Sequence, residues 1–427
     1  MRRWSRCCVC STNFRQSTSN NYIKLRVAEI KLLITNAKIV DVVAGEIRSE
    51  DAVRVSESGE ITELGKSTTL ARSTNETTLD LDGRYLFPGL ISCHSHLSVV
   101  FPFSLTDPNE DPALTAFRAA ERAHQALDSG ITTLRSVHEQ NQVDLYLRRA
   151  AKAGWFQGPR IFGAGRALST PEGHGAGSAC SYAKDFNGFY KAAIGELDDG
   201  ADHLKIFITG GLARAGERPE DPEMTDDEIR GVVKAAEERN TYVVAHAGES
   251  AAIQQALRLG VRSFEHGYVM DQTTVDAMAT KDVFYSPTLC VTRSESWMRE
   301  KGFEEASIQN CLAVADQHLA SVKLAIGAGI KMTNGTDYPP GDLVDGASAA
   351  LHELFLMHGA GLSTLKSLQS ITSTAASLIK QEDKLGQINK GFFGDFIAMR
   401  GNPLDDPQNL RELDLVVQGG RVIANRL

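Results

Sequence analysis

No apolar run in this chain approaches the length needed to span a bilayer, so no membrane partner is expected. There is no surplus of positive charge either: 45 Lys and Arg stand against 54 Asp and Glu, a net charge of −9. Binding to phosphate backbones needs concentrated cations, so nucleic acid is not an expected partner. A disulfide framework is missing as well. The seven cysteines (Cys7, Cys8, Cys10, Cys93, Cys180, Cys290 and Cys311) are odd in number and mostly scattered. That usage fits a reducing interior, and a cytoplasmic location is expected. What is present is the composition of a soluble globular protein, 42% hydrophobic and 23% charged. At 427 residues the length allows one large domain with a smaller one, or two or three ordinary domains.

Residues 1–28 stand apart. They are basic and rich in Ser, Thr and Asn, with no acidic residue before Glu29 and no apolar central region of the kind a secretory signal needs. Three readings stay open: a disordered tail, an organelle transit peptide, or translation from a start codon placed too early. Cys7, Cys8 and Cys10 have no matching second pair nearby, so no metal is assigned to them.

From residue 29 to 87 the pattern is short and alternating, punctuated by Gly, Asn and Asp, as in "IKLLITNAKIVDVVAGEI". Residues 380–427 have the same texture. Neither piece can bury a core by itself, so the two are expected to pair into one small β domain. Between them, over 88–379, strand and helix alternate. The strand candidates are "GLISCHSHL", "GITTLRSV", "GPRIFGAGRAL", "ADHLKIFITGG", "NTYVVAHAG", "VRSFEHG", "VFYSPTLCV" and "GIKMTNGTD". Thr225, followed by Asp226, Asp227 and Glu228, reads as the N-cap and first turn of a helix. Eight β/α units over this span suit a closed parallel (β/α)8 barrel. An open doubly wound sheet shares the alternation, but no Gly-rich nucleotide fingerprint follows the first strand.

In such barrels chemistry sits at the C-terminal strand ends. There the sequence places His94 and His96, then Lys205, His246, His266 and Asp337, on five of the eight strands. Residues i and i+2 of a strand share a side, so His94 and His96 can reach one centre while Ser95 faces away. A lone buried histidine is usually a hydrogen-bonded core residue, the reading given to His124, His203 and His318. Six such groups at strand ends resist that explanation, because burying each unpaired costs several kcal/mol. A divalent metal of borderline softness is the simplest common partner. Lys205 lies in an otherwise apolar strand and can lose its proton when buried. Its amine can then add carbon dioxide to form a carbamate, an anionic ligand able to bridge two metals. The competing reading is a Lys205–Asp337 pair in a metal-free barrel, which leaves four histidines unexplained.

With these residues in place the sequence resembles the metal-dependent amidohydrolase superfamily, in its imidazolonepropionase-like and prolidase-like branch. The matching pieces include "PGLISCHSHL", "GITTLRSV", "GPRIFGAGRALSTPEGHG", "HLKIFITGG", "VVAHAG", "FEHG", "NGTDYPP" and "KGFFGDFIAMRGNPLDD", from about Glu29 to the C-terminus. The resemblance implies a distorted (β/α)8 TIM barrel beside a β-sandwich formed from both termini. It also implies two divalent metal ions, commonly zinc. His94, His96 and Asp337 would hold one, His246 and His266 the other, with carboxylated Lys205 and a hydroxide between them. Three positions depart from the pattern: Ser92 where Asp often precedes the histidine pair, Ser136-Val137-His138 after Arg135, and Gly248 where peptidase-like relatives carry tyrosine.

The expected reaction is hydrolysis of an amide or related C–N bond in a small molecule. Dipeptides, N-acyl amino acids, ureas, carbamates and xenobiotic amides all remain possible substrates. Asp337 is expected to act as general base and acid. His174 and His138 are candidates for substrate contact, and the loop "GGLARAGERPEDPEM" for a lid. Two alternatives are a one-metal deaminase of a cyclic amidine, told apart by a metal count near one, and a non-catalytic scaffold, which six intact ligand positions disfavour. Barrels of this kind often form homo-oligomers, though nothing in the sequence names an interface.

Overall fold

A computed structural model describes residues 31–212 and 216–427; the tail at 1–28, with its three cysteines, lies outside them. Near the N-terminus the short alternating stretches form strands. Four of them build one sheet in the order Ile61–Gly65, Ala52–Val55, Lys31–Thr35, Glu76–Asp80. A second sheet joins both ends of the chain, in the order Arg421–Asn425, Leu415–Gln418, Phe396–Met399, Tyr85–Pro88, Lys38–Asp41, Glu46–Ile47. Ile397 lies opposite Phe87 in its antiparallel centre. Side chains alternate between the two faces of a strand, and both faces of this sheet are covered. Leu86, Phe396, Leu415 and Val417 share a core with Leu32, Ile34 and Val53 of the four-stranded sheet. Phe87, Ile397 and Val416 point the other way, onto Ala119, Ala123, Leu351 and Leu354 of the central region. Each such aliphatic or aromatic side chain contributes about 1.5–3 kcal/mol on burial.

The central region is α/β, its two larger sheets built of parallel strands, with one short antiparallel pair at Leu343–Val344 and Ala347–Ser348. Leu90–Ser95, Ile131–Ser136 and Arg160–Gly163 form a three-stranded sheet. Ser181–Tyr182, Leu168–Ser169, Leu204–Phe207, Val243–Glu249, Ser263–Val269, Phe284–Ser286 and Lys331–Met332 form a seven-stranded one in that order. The first two strands of the smaller sheet are buried along their whole length, as parallel strands covered on both faces must be. The ladder is thus divided between two sheets. Backbone hydrogen bonds cross both gaps: Asp202 N–H donates to the Gly163 carbonyl (2.8 Å), and Cys93 N–H donates to that of Asn334 (2.7 Å).

Helices on the outside carry the expected signals. Asp226–Glu238 is capped by Thr225, whose hydroxyl accepts from Glu228 N–H while the Glu228 carboxylate accepts from Thr225 N–H, a complete capping box. Its buried face, Ile229, Val232, Val233 and Ala236, packs against the sheet. Because neighbouring strands run in register (Phe207 beside His246, Ala247 beside His266), their C-terminal ends deliver side chains to one place.

Candidate metal centre

His94 and His96 emerge from the end of Leu90–Ser95, and their ring centroids lie 5.4 Å apart. His266 lies 5.1 Å from His94 and 4.4 Å from His246. Donor atoms of His94, His266 and Asp337 all fall within 4.8 Å of one another, close enough to hold one metal ion. His96, His246 and Lys205 line the same cavity. The structure therefore brings together all six ligand candidates read from the sequence.

The hydrogen bonds decide which ring nitrogens are free. His94 Nδ1 meets Glu265 Oε2 at 2.7 Å, and an ionised carboxylate only accepts, so Nδ1 carries the proton. His96 Nδ1 donates to the carbonyl of His138 (2.9 Å) and His246 Nε2 to that of Gly210 (3.1 Å). His266 Nδ1 donates to Thr288 Oγ1 (2.7 Å), whose own proton goes to the Pro287 carbonyl. Each imidazole thus has one nitrogen tied to an acceptor and presents a lone pair on the other. Such outer partners fix the tautomer of metal-ligating histidines. Asp337 Oδ1 then lies 3.0 Å from both His94 Nε2 and His96 Nε2. Three lone-pair atoms facing one another need a proton or a cation between them. This donor set fits a divalent metal.

Electrostatics agree. Burial opposes charge on His96, yet the Asp337 carboxylate holds its pKa above the ordinary value. Burial pushes His246 and His266 well below theirs, so both are neutral bases. Lys205 is 1% exposed and has no carboxylate within ion-pair distance among the described residues. Burial pulls its pKa down to about 8.

The local backbone explains how the chain achieves this. In Ser263–Val269, Ser263 and Glu265 both reach Arg135, while Phe264 turns out to the helices. His266 follows Glu265 and would alternate outward in a regular strand. Instead it adopts φ 72°, joined by Thr288 at 54° and Asp337 at 64°. The left-handed region is uncommon for residues other than glycine and clusters at functional sites. Gly335 is equally constrained: a Cβ there would sit 2.5 Å from His94 Cβ.

Two buried carboxylates, Glu265 and Glu139, and the half-buried Glu217 are not singled out by the sequence pattern. Glu265 bonds both His94 and Arg135, and Arg135 also donates to the Cys93 carbonyl. Burial opposes its charge, but Arg135 and His94 hold Glu265 well below the usual carboxylate range. Glu139 accepts from Leu97 N–H (2.7 Å) and Ser98 N–H (2.6 Å), fixing the chain just after His96. Glu217 meets His174 Nδ1 at 2.9 Å. A charged residue in or beside an apolar strand was the available signal for the first two. Ser92, by contrast, makes its side-chain bond with Ser95 (2.9 Å), and His94 is supported from Glu265.

His174 stacks on His246 at 4.3 Å and lines the cavity, with Nε2 the nitrogen Glu217 leaves over. His138 also lines it, but both of its ring nitrogens are engaged, by the Ser178 carbonyl and by Ala167 N–H. Burial pushes its pKa down to about 3. As placed, His138 supports His96 and has no ring nitrogen left for a ligand. Of the loop after Leu204–Phe207, residues 213–215 lie outside those described. Pro219 packs where a Cβ on Gly248 would fall, 2.5 Å away.

Comparison with known proteins gives the family. The model of the amidohydrolase family matches residues 85–423. An ochratoxinase from Aspergillus niger is 26% identical over 369 residues, covering 79% of this chain and 75% of that protein. Among solved structures, an amidohydrolase superposes with a TM-score of 0.84 at 28% identity, covering 93% of this chain and all of that one. A Xaa-Pro dipeptidase with methionine bound in its active site gives 0.81 at 28% identity, covering 92% and 99%.

Proposed function

Because the chain belongs to the amidohydrolase family and is a hydrolytic enzyme, we propose that it cleaves an amide or related C–N bond of a small molecule using two divalent metal ions. Zinc is the metal expected for this set of nitrogen and oxygen donors. In this reading His94, His96 and Asp337 hold one ion and His246 and His266 the second. Lys205 would join them once its ammonium has lost one proton and the resulting amine has added carbon dioxide with loss of a second, which converts a buried cation into an anionic carbamate. The observation that carries the proposal is the convergence of imidazoles whose second nitrogens are all tied to acceptors. The isolated Lys205 amine supports its bridging role.

When bound, the ions would activate a water molecule and polarise the scissile carbonyl. Asp337 accepts the proton of the attacking water and returns it to the leaving nitrogen, serving as base and then acid. Its side chain is 18% exposed, against 1% and 8% for His94 and His96, so it is the ligand best able to reach both. His174 Nε2 is the nitrogen left to meet a substrate N–H or O–H. His138 positions His96 through its carbonyl.

The same reading takes residues 88–379 as a distorted (β/α)8 barrel and residues 29–87 with 380–427 as a β-sandwich domain. The hydrogen bonds across both gaps of the parallel ladder support the first, and the core shared by the two small sheets supports the second. No helix among the described residues is long and apolar enough to cross a membrane. Cys93, Cys290 and Cys311 are free and buried, which supports a cytoplasmic location.

Asp337→Asn tests the assignment. Retained metal with hydrolysis of N-acyl amino acids, dipeptides and aryl amides abolished is the expected result. Normal turnover by that variant would remove Asp337 from the proton path.

A further inference from the structure

Beyond the metal ligands the cavity has two unlike walls. One is apolar and built by Val99, Phe103, Leu212, Val291, Met298 and Phe303. Behind it lie Phe101 and Trp297, and Trp297 stacks on Tyr338 at 3.8 Å. Tyr338 follows Asp337 in the chain and donates its hydroxyl to the Cys290 carbonyl (3.0 Å). The apolar chamber is therefore packed directly onto the segment that carries Asp337, at a set distance from the reacting centre.

The other wall holds Gln140, 1% exposed. Its Nε2 donates to the Asp107 carbonyl (3.0 Å), which fixes the amide orientation, because a carbonyl offers no proton. Gln140 Oε1 is then left without a partner, as is Thr106 Oγ1 on the same wall. A buried acceptor in that state calls for a donor from the ligand. Among the described residues lining the cavity, Lys205 is the one lysine or arginine and Asp337 the one carboxylate, and both belong to the metal centre. A substrate carboxylate outside the centre would meet no lysine or arginine among the described lining residues, and a buried unpaired charge is costly.

We infer that the preferred substrates are uncharged amides bearing an aromatic or branched apolar group, which fills the chamber while a substrate N–H donates to Gln140 Oε1. Phe303 and Gln140 are then specificity-determining residues. This rests on the hydrolase reading above and adds a substrate class to it.

The test uses the full-length, zinc-loaded protein and three probes with one scissile bond: benzanilide and its two analogues carrying a carboxylate on the acyl or the amine ring. Turnover and calorimetric binding are both measured. The neutral probe is expected to exceed both charged ones at least tenfold in kcat/KM and in affinity. Gln140→Leu should raise its KM severalfold with zinc content unchanged. Phe303→Arg should improve at least one carboxylated probe while weakening the neutral one, a gain that misfolding cannot produce. Binding in the expected order without turnover would overturn the hydrolase reading and leave this inference standing. Turnover or binding that favours a carboxylated probe in the unmodified protein would overturn the inference.

Discussion

Replacing Glu265 by glutamine keeps the shape of the side chain and removes a charge that three groups share. Oε2 meets His94 Nδ1 at 2.7 Å, while Oε1 accepts from Arg135 Nη2 at 2.8 Å and Ser263 Oγ at 2.7 Å. Glutamine has one acceptor oxygen. If that oxygen stays with Arg135, the amide N–H faces His94 Nδ1 and forces it to accept. The ring proton then moves to Nε2, the nitrogen facing Asp337, and His94 loses the lone pair a metal needs. The opposite orientation sets the amide N–H against the guanidinium, two donors in a fully buried site, and is worse. Loss of such an outer carboxylate typically lowers metal affinity 10–100-fold, about 1.4–2.7 kcal/mol. Arg135, 0% exposed, also loses the carboxylate it pairs with at 2.8 Å. Breaking a buried pair costs about 3–5 kcal/mol, and the hydrogen bond glutamine retains puts this case near the lower end. Zinc competition against a chelator measures the first effect, and denaturant unfolding of the metal-free protein the second. Unchanged zinc affinity alongside reduced stability would show that His94 does not bind metal through Nε2. No change in either would refute the coupling altogether.

Other perturbations follow from the same geometry. Gly335→Ala places a methyl 2.5 Å from His94 Cβ, so bound metal should fall below half the native content while secondary structure by circular dichroism is kept. Lys205→Ala should lose metal and activity together, and a short carboxylic acid added to the medium should restore part of both by standing in for the carbamate. Asp144 is fully buried with Oδ1 unpartnered, and burial raises its carboxyl from 3.8 to about 7. Between those values the folded state holds a proton the unfolded chain has released, so this residue's contribution to stability falls as pH rises from 4 to 7. Asp144→Asn should therefore gain stability relative to the native protein over that interval, read from denaturant midpoints at each pH.

How much of this was legible beforehand depends on the physics of each residue. His94 and His96 obey the two-residue strand period, and their pairing could be read directly. His266 and Asp337 could be named as strand-end residues, but their orientation depends on left-handed backbone that no periodicity announces. The last central strand is two residues long, Lys331–Met332, because the chain then leaves the ladder to carry Asp337 across His94. That departure opens one of the two gaps that divide the parallel strands between two sheets, where the sequence pattern suggests one continuous set. Glu265, Glu139 and Gln140 were not singled out, since their partners lie on other strands and only the assembled fold brings them together. His138 lines the pocket as its place at the end of the second strand suggests, with its nitrogens already bound to backbone.

The central claim is a two-metal hydrolytic centre built from His94, His96, Lys205, His246, His266 and Asp337. Elemental analysis of the purified full-length protein, paired with amide hydrolysis before and after chelation, tests it most directly. About two divalent ions per chain are expected, with activity lost on chelation and restored by zinc. A count near one, or hydrolysis that survives complete metal removal, would contradict it.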